Sequence, residues 1–328
     1  PFGFDGAATP ERRQRFDSTT LALPFDWHGG AWQVEANLAT TATDLEVVDA
    51  GDPFAESVAD ARREQGRLMV RRAFESGWTL AAGGDWLRDR VESASAFGPA
   101  LRGDRQRTTA AFVQASLARG PARVDLGARR DESDAFGGET SLRAAAAWRL
   151  AERWRLRAGY GESFRAPSLA DLYYPGFSNP DLEPERGRSA ELAVEGERGP
   201  FRFALAAFEN RLENLIEFDF ATFRPQNVGR ARARGLEASA ALRLADFDAR
   251  LAATRLDAED RASGRPLLRR PDWSASLVAF YRPGEWTVGA TARYVGARLD
   301  FGDLPLAAYS TLDLSLAYRA AAWIEPFA

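Results

Sequence analysis

Residues able to do covalent chemistry are few. There is no cysteine among the 328 residues and a single histidine, His28, which removes disulfide frameworks, thiolate metal sites and cysteine nucleophiles together. His28 lies in Trp27-His28-Gly29-Gly30, a short turn where no serine or carboxylate constellation is placed to use an imidazole as general base. A solvated turn histidine is expected, and no enzyme. What remains is charge. All 43 basic residues are arginine, mixed among 47 acidic residues for a net charge of -4, and with no basic stripe a nucleic-acid partner is not expected.

The elements must decide which way those charges point. From Ala31 to Thr43, Trp32, Val34, Ala36, Leu38 and Ala42 alternate with Gln33, Glu35, Asn37, Thr41 and Thr43, a strand with one apolar and one polar side. The pattern returns at Ala122 to Arg129, Arg153 to Tyr160, Leu236 to Arg243 and Leu312 to Arg319. About fifteen such strands are expected, most near ten residues, the length of a tilted membrane-crossing strand. No apolar run approaches the ~20 residues of a membrane-spanning helix.

Connections and aromatics add two regularities. Short turns, such as Asp26 to Ala31, Glu75 to Gly77 and Arg119 to Pro121, alternate with longer polar loops expected near Asp44 to Glu64, Arg88 to Arg105, Asp131 to Glu139, Arg165 to Arg186, Arg211 to Gln226, Asp257 to Arg270 and Arg298 to Ala307. Outer-membrane barrels sort their connections in this way, turns inside and loops outside. Trp32, Trp78, Trp154, Phe201, Phe247, Trp286 and Trp323 follow short turns. Trp78/Trp86, Trp273/Tyr281 and Trp286/Tyr294 are each eight positions apart, roughly 20 Å along a tilted barrel and close to the ~25 Å band between two aromatic girdles. The reading is an all-β, transmembrane, antiparallel up-and-down β-barrel. Its polar side, with Arg123, Asp125, Arg155, Arg157, Glu191, Glu237 and Arg243, faces inward, and its apolar side faces outer-membrane lipid. A strand begun at Trp323 and broken by Pro326, with an odd strand count, predicts a partial barrel.

Tyr160-Gly161-Glu162-Ser163-Phe164-Arg165-Ala166-Pro167, followed by Asn179-Pro180-Asp181-Leu182-Glu183-Pro184-Glu185, resembles TonB-dependent outer-membrane receptors. In that family the first motif ends a strand and the second opens the returning one. Asn227-Val228-Gly229 through Gly235-Leu236-Glu237, and Pro266-Leu267-Leu268-Arg269-Arg270-Pro271, agree in order and spacing. Pro167 and Pro180 would end or bend strands, and Gly235 marks a bulge or a close approach. Most of these motif residues read as scaffold.

Within the family the chain is most similar to the vitamin B12 (cobalamin) transporters, through Leu267-Leu268-Arg269-Arg270 and Tyr294-Val295-Gly296-Ala297-Arg298. The resemblance implies about 15 of an expected 22 strands, residues 1–328 being the C-terminal barrel domain without the plug that fills such barrels. It implies uptake of cobalamin or a ferric siderophore by outer-loop binding, with TonB acting on the plug. Arg269 is the ligand-binding residue it carries over, able to donate to amide oxygens of a corrin side chain. Calcium in early outer loops would fall to Asp5, Asp49 and Asp52; no other cofactor is implied. A passive porin-type channel, an outer-membrane enzyme and a soluble β-sandwich adhesin stay open as alternatives.

Overall fold

In the computed structural model, which describes residues 12–49, 51–52, 56–219 and 221–320, the chain forms one antiparallel sheet of fifteen strands. Its first half comprises β1 (Arg13–Gly29), β2 (Trp32–Val48), β3 (Ser57–Ala73), β4 (Trp78–Ser95), β5 (Gly98–Arg119), β6 (Ala122–Ser133), β7 (Gly137–Ala151) and β8 (Trp154–Arg165). A short helix α1 (Leu169–Tyr173) precedes β9 (Glu185–Arg198), β10 (Phe201–Asp219), β11 (Arg224–Arg243), β12 (Phe247–Asp260), β13 (Trp273–Tyr281) and β14 (Trp286–Val295). A small hairpin of β15 (Arg298–Asp300) and β16 (Leu304–Leu306) is followed by β17 (Tyr309–Tyr318). Each strand pairs with the next in sequence, and β14 passes over the hairpin to pair with β17. Among the described residues β1 and β17 remain the two edges.

The sheet is one layer thick and encloses no apolar core of its own. Val47, Ala81, Leu101, Leu172, Leu182, Ala193 and Ala231 are the buried apolar residues among those described. The large apolar side chains of the alternating strands are exposed, Leu38 at 61%, Leu126 at 50%, Leu192 at 54% and Leu314 at 71%. A soluble sandwich would have turned these residues into a dry centre. The aromatic ring is where the sequence puts it: Trp32, Trp78, Trp154, Phe201, Phe247 and Trp286 are each the first residue of a strand, while Trp323 lies outside the described residues. Two-residue turns at Gly30, Gly120 and Gly199 have φ of 57°, 57° and 58°, the left-handed geometry that tight hairpins require and that glycine adopts without a Cβ penalty.

The expectation of ten-residue strands joined by long loops needs correcting. β1, β2 and β3 have 17 residues each, β5 has 22 and β11 has 20. Much of the presumed loop sequence is therefore paired strand, and β4 and β5 are separated only by residues 96–97. Alternation fades there because both faces turn polar above the membrane, yet the backbone ladder continues. Register pairs Glu64 with Arg88, whose charged groups lie 3.7 Å apart. Gly235 is a close approach and no bulge: the register with β10 is unbroken through it, and a Cβ would meet the Arg255 carbonyl oxygen at 2.2 Å and the Phe208 ring at 2.9 Å.

The two faces make opposite demands on a new charge. Leu192→Arg, on the apolar face, is expected to cost about 2–4 kcal/mol of folding stability in lipid, whereas Ser239→Arg on the polar face should cost little. Heat-dependent gel migration after refolding into vesicles, across a urea series, measures both; equal losses would reverse the assignment of faces.

Candidate functional site

The polar face is a wall of paired charges. On β3 and β4, Arg63 donates to Asp89 at 2.7 and 2.9 Å, and Arg67 to Asp85 at 2.6 and 3.0 Å. Asp85 also accepts from Arg129, which holds the buried Asp131 at 2.8 Å, so four residues from three strands form one network. Farther round, Arg157 bridges Glu191 at 3.3 Å and Glu195 at 3.0 Å, and Arg123 holds Asp125 at 2.9 and 3.1 Å. Arg123–Asp125 and Arg129–Asp131 are same-face neighbours two apart on one strand, whereas the cross-strand partners follow only from register.

Above this wall the segment after β8 turns back across the mouth. Ser168 caps α1: its Oγ accepts from the Asp171 N–H at 3.1 Å while the Asp171 carboxylate accepts from the Ser168 N–H at 2.9 Å, a reciprocal box that satisfies the helix start. Leu172 and Pro167 are fully buried and α1 packs on β5. Together they leave a cleft of about 780 Å³ between the charged wall at Arg63, Asp89 and Arg129 and the rings of Phe136 and Phe164. A bulky ligand with both polar edges and apolar surface fits such a lining.

The motif residues tie this segment down. Asn179 donates to the Pro225 carbonyl at 3.1 Å and accepts from the Asp181 N–H at 3.0 Å. Asn227 donates to the carbonyls of Glu183 and Asn214, both at 2.8 Å, and accepts from the Glu183 N–H at 2.8 Å. Glu185, the first residue of β9, takes a two-pronged bond from Arg165 at 2.7 and 2.5 Å and a third from the Ile216 N–H at 2.9 Å. These bonds hold the Glu185 carboxyl below the usual carboxylate range, the Arg165 contact contributing most. The scaffold reading is sound, although spacing alone gave no hint that Asn227 bonds on three sides.

The remaining candidates sit on separate outer loops. Arg269, in the β12–β13 connection, has φ of 58° and an exposed side chain whose Nε donates to Asp300 at 2.5 Å; its own N–H donates to the Leu299 carbonyl at 2.7 Å. It is thus clamped to the β15–β16 hairpin with its remaining donors outward. Asp49, after β2, is 2% exposed; its Oδ1 accepts from the Gly51 N–H at 3.1 Å and its Oδ2 is buried with no partner. The Asp52 N–H donates to the Asp49 carbonyl at 3.2 Å, so one turn carries both. Asp5 lies outside the described residues. Among those described, no three His, Cys, Asp or Glu side chains are grouped to hold a metal. His28 is exposed opposite Gln33.

Comparison with known proteins agrees with this architecture. The family model described as "TonB dependent receptor-like, beta-barrel" matches residues 2–325. The chain is 31% identical over 315 residues to a vitamin B12 transporter, BtuB, of Vibrio cholerae serotype O1, covering 92% of this chain and 50% of that protein. It therefore spans about half the length of the curated relatives it matches. Among solved structures, the siderophore receptor PirA of Acinetobacter baumannii superposes with a TM-score of 0.80 at 18% identity, over 98% of this chain and 58% of that one. A ferric enterobactin receptor (PfeA) mutant from Pseudomonas aeruginosa gives 0.83 at 19%, over 98% and 56%.

The clasp at Glu185 predicts a pH dependence for the mouth segment. A lowered carboxyl pKa contributes stability that is complete above the unfolded value of ~4.3 and is lost as pH falls through the folded value. Residues 166–184 should resist an acid-active protease above that value and become cleavable below it. Glu185→Gln should be equally cleavable at both pH values; a wild type insensitive to pH would remove Glu185 from this role.

Proposed function

The chain belongs to the TonB-dependent receptor β-barrel family, and on that premise we propose that it is the barrel wall of an active transporter in the bacterial outer membrane. A plug domain would fill the lumen and carry the contact to TonB, since barrels this wide are plugged. The cargo is a large, scarce nutrient captured by the outer loops, with cobalamin favoured over a ferric siderophore. The observation that carries this reading is the mouth cleft, charged at Arg63, Asp89 and Arg129 and aromatic at Phe136 and Phe164. The likeness in sequence to a vitamin B12 transporter supports the choice of cargo.

In this reading Arg269 contributes donors to amide oxygens of the ligand, and Asp300 sets its direction. Calcium has one supporting feature, the buried unpartnered Oδ2 of Asp49. With Asp52 in the same turn it would supply hard oxygen ligands, and calcium would brace that loop; the described acidic groups fall short of a full ligand set. Asp5 would be a third.

Titration of the full-length gene product in detergent with cyanocobalamin and a panel of iron chelates tests the cargo. Tight binding of cyanocobalamin is expected, weakened by Arg269→Ala by roughly 1.5–3 kcal/mol, the range for hydrogen bonds from a charged donor. Binding of an iron chelate alone would replace cobalamin, and binding of none would remove the receptor reading. Calcium should raise the melting temperature of the wild type and leave Asp49→Asn unmoved; equal shifts would exclude Asp49 as a ligand.

A further inference from the structure

One concavity lies on the opposite face from the cleft, toward the end bearing the short turns. Two cross-strand rows run side by side there. Trp32, Arg72, Leu80, Ala115 and Leu126 pair in register across β2 to β6, and Val70, Ala82, Val113 and Ala128 pair across β3 to β6. Unbroken register puts both rows on one face. Alanines in the middle, between larger neighbours, leave a groove of about 580 Å³ that Phe74 also lines.

Arg72 is the one charged residue lining it. Its guanidinium lies 4.8 Å from the ring centroid of Trp32 and 4.7 Å from that of Phe74. Arg67 and Arg282 also lie over rings, each hydrogen-bonded to a carboxylate, Asp85 or Asp248, and Arg255 lies 5.4 Å from the Trp273 centroid, away from this groove. Among the described residues Arg72 has no such partner: no hydrogen bond or ion pair engages its guanidinium, and Glu75, three residues on, makes no ion pair with it. Rings favour the cation but accept no in-plane hydrogen bonds. An arginine on a lipid-facing surface needs an acceptor for its donors, because an unpaired charge there is costly.

Height says where the acceptor comes from. Arg72 stands beside the turn at residues 74–77, level with Trp32 and next to Trp78, where an interfacial aromatic belt meets lipid headgroups. From there the groove runs along the Val70 row toward the middle of the apolar band. No acidic side chain lines it that could bind a headgroup ammonium.

We propose that this groove is a binding site for one anionic phospholipid of the periplasmic leaflet, its phosphate on Arg72 and one acyl chain along Ala82, Ala115 and Ala128. The site rests on the reading that the apolar face meets lipid, and goes beyond it by assigning a selective lipid to one place. Guanidinium and phosphate form charge-assisted, paired hydrogen bonds. Contact with the rings of Trp32 and Phe74 holds the guanidinium in place before the lipid arrives, which lowers the ordering cost of binding.

The test is native mass spectrometry of the purified full-length protein in detergent, titrated with dioleoyl phosphatidylglycerol or dioleoyl phosphatidylcholine. One equivalent of phosphatidylglycerol should be retained in preference to phosphatidylcholine. Arg72→Gln should weaken that retention about tenfold or more, the loss of a charged hydrogen-bonding donor. Ala115→Phe keeps the charge and fills the groove with an apolar ring that lipid tolerates, and it should weaken retention as well. Vesicle flotation of each variant reports the membrane reading separately. A protein that fails to float sinks both claims. One that floats but retains the two lipids equally, or is unchanged by Arg72→Gln, overturns this site alone.

Discussion

Lipid offers no hydrogen-bond partner to a peptide group, and every other feature of this chain follows from that. Each N–H and C=O inside the membrane must find its partner in a neighbouring strand. The economical solution is a sheet in which sequence neighbours are spatial neighbours, and the order β1 to β14 then β17 meets it with no crossover. Tight glycine turns at one end are a consequence, because a two-residue link keeps the ladder paired almost to its last rung. At the other end the ladder continues past the lipid, since a paired backbone is as well satisfied in water as in the membrane.

With the backbone settled, side chains are free to sort by face alone. The outward face has only to be apolar, and the inward face can carry charge at a density that a packed core would not tolerate. Exposed ion pairs contribute little stability, about 0–1 kcal/mol each. The Arg67–Asp85–Arg129–Asp131 network neutralises the wall, and its buried member Asp131 is compensated there by Arg129. The mouth segment is the exception to this loose economy: there Asn227 and Glu185 meet backbone and guanidinium on several sides, and bonds replace lipid as the organising force.

This division explains what could be read from the sequence. Period-two alternation is a direct imprint of the lipid boundary, so strands such as β2 and β6 and the leading aromatics of β4, β8 and β14 were legible. Where that boundary ends, so does the imprint, and the upper parts of β3, β5 and β10 passed for loops. Long-range pairing was illegible for a different reason. Nothing in a single sequence says that Arg186 reaches Glu139 at 2.6 Å, or that Asn179 meets the carbonyl of Pro225. Such pairs depend on register summed over several strands. Motif resemblance partly repaired this by marking Asn179, Glu185 and Asn227 as positions of consequence, though not by saying what they hold.

Arginine placement then separates three kinds of site by what completes the guanidinium. On the inward wall a carboxylate of the same sheet completes it, and the pair is self-sufficient. At Arg269 the carboxylate of Asp300 engages one nitrogen and the backbone is held in a left-handed turn, leaving donors directed outward. At Arg72 two rings flank the cation and, among the described residues, no acceptor meets its donors. A donor already satisfied by the protein has little to gain from a ligand, so the less complete guanidiniums are the ones on which the proposals above rest. The same rule that closes the backbone ladder in lipid therefore also indicates where the side chains expect company.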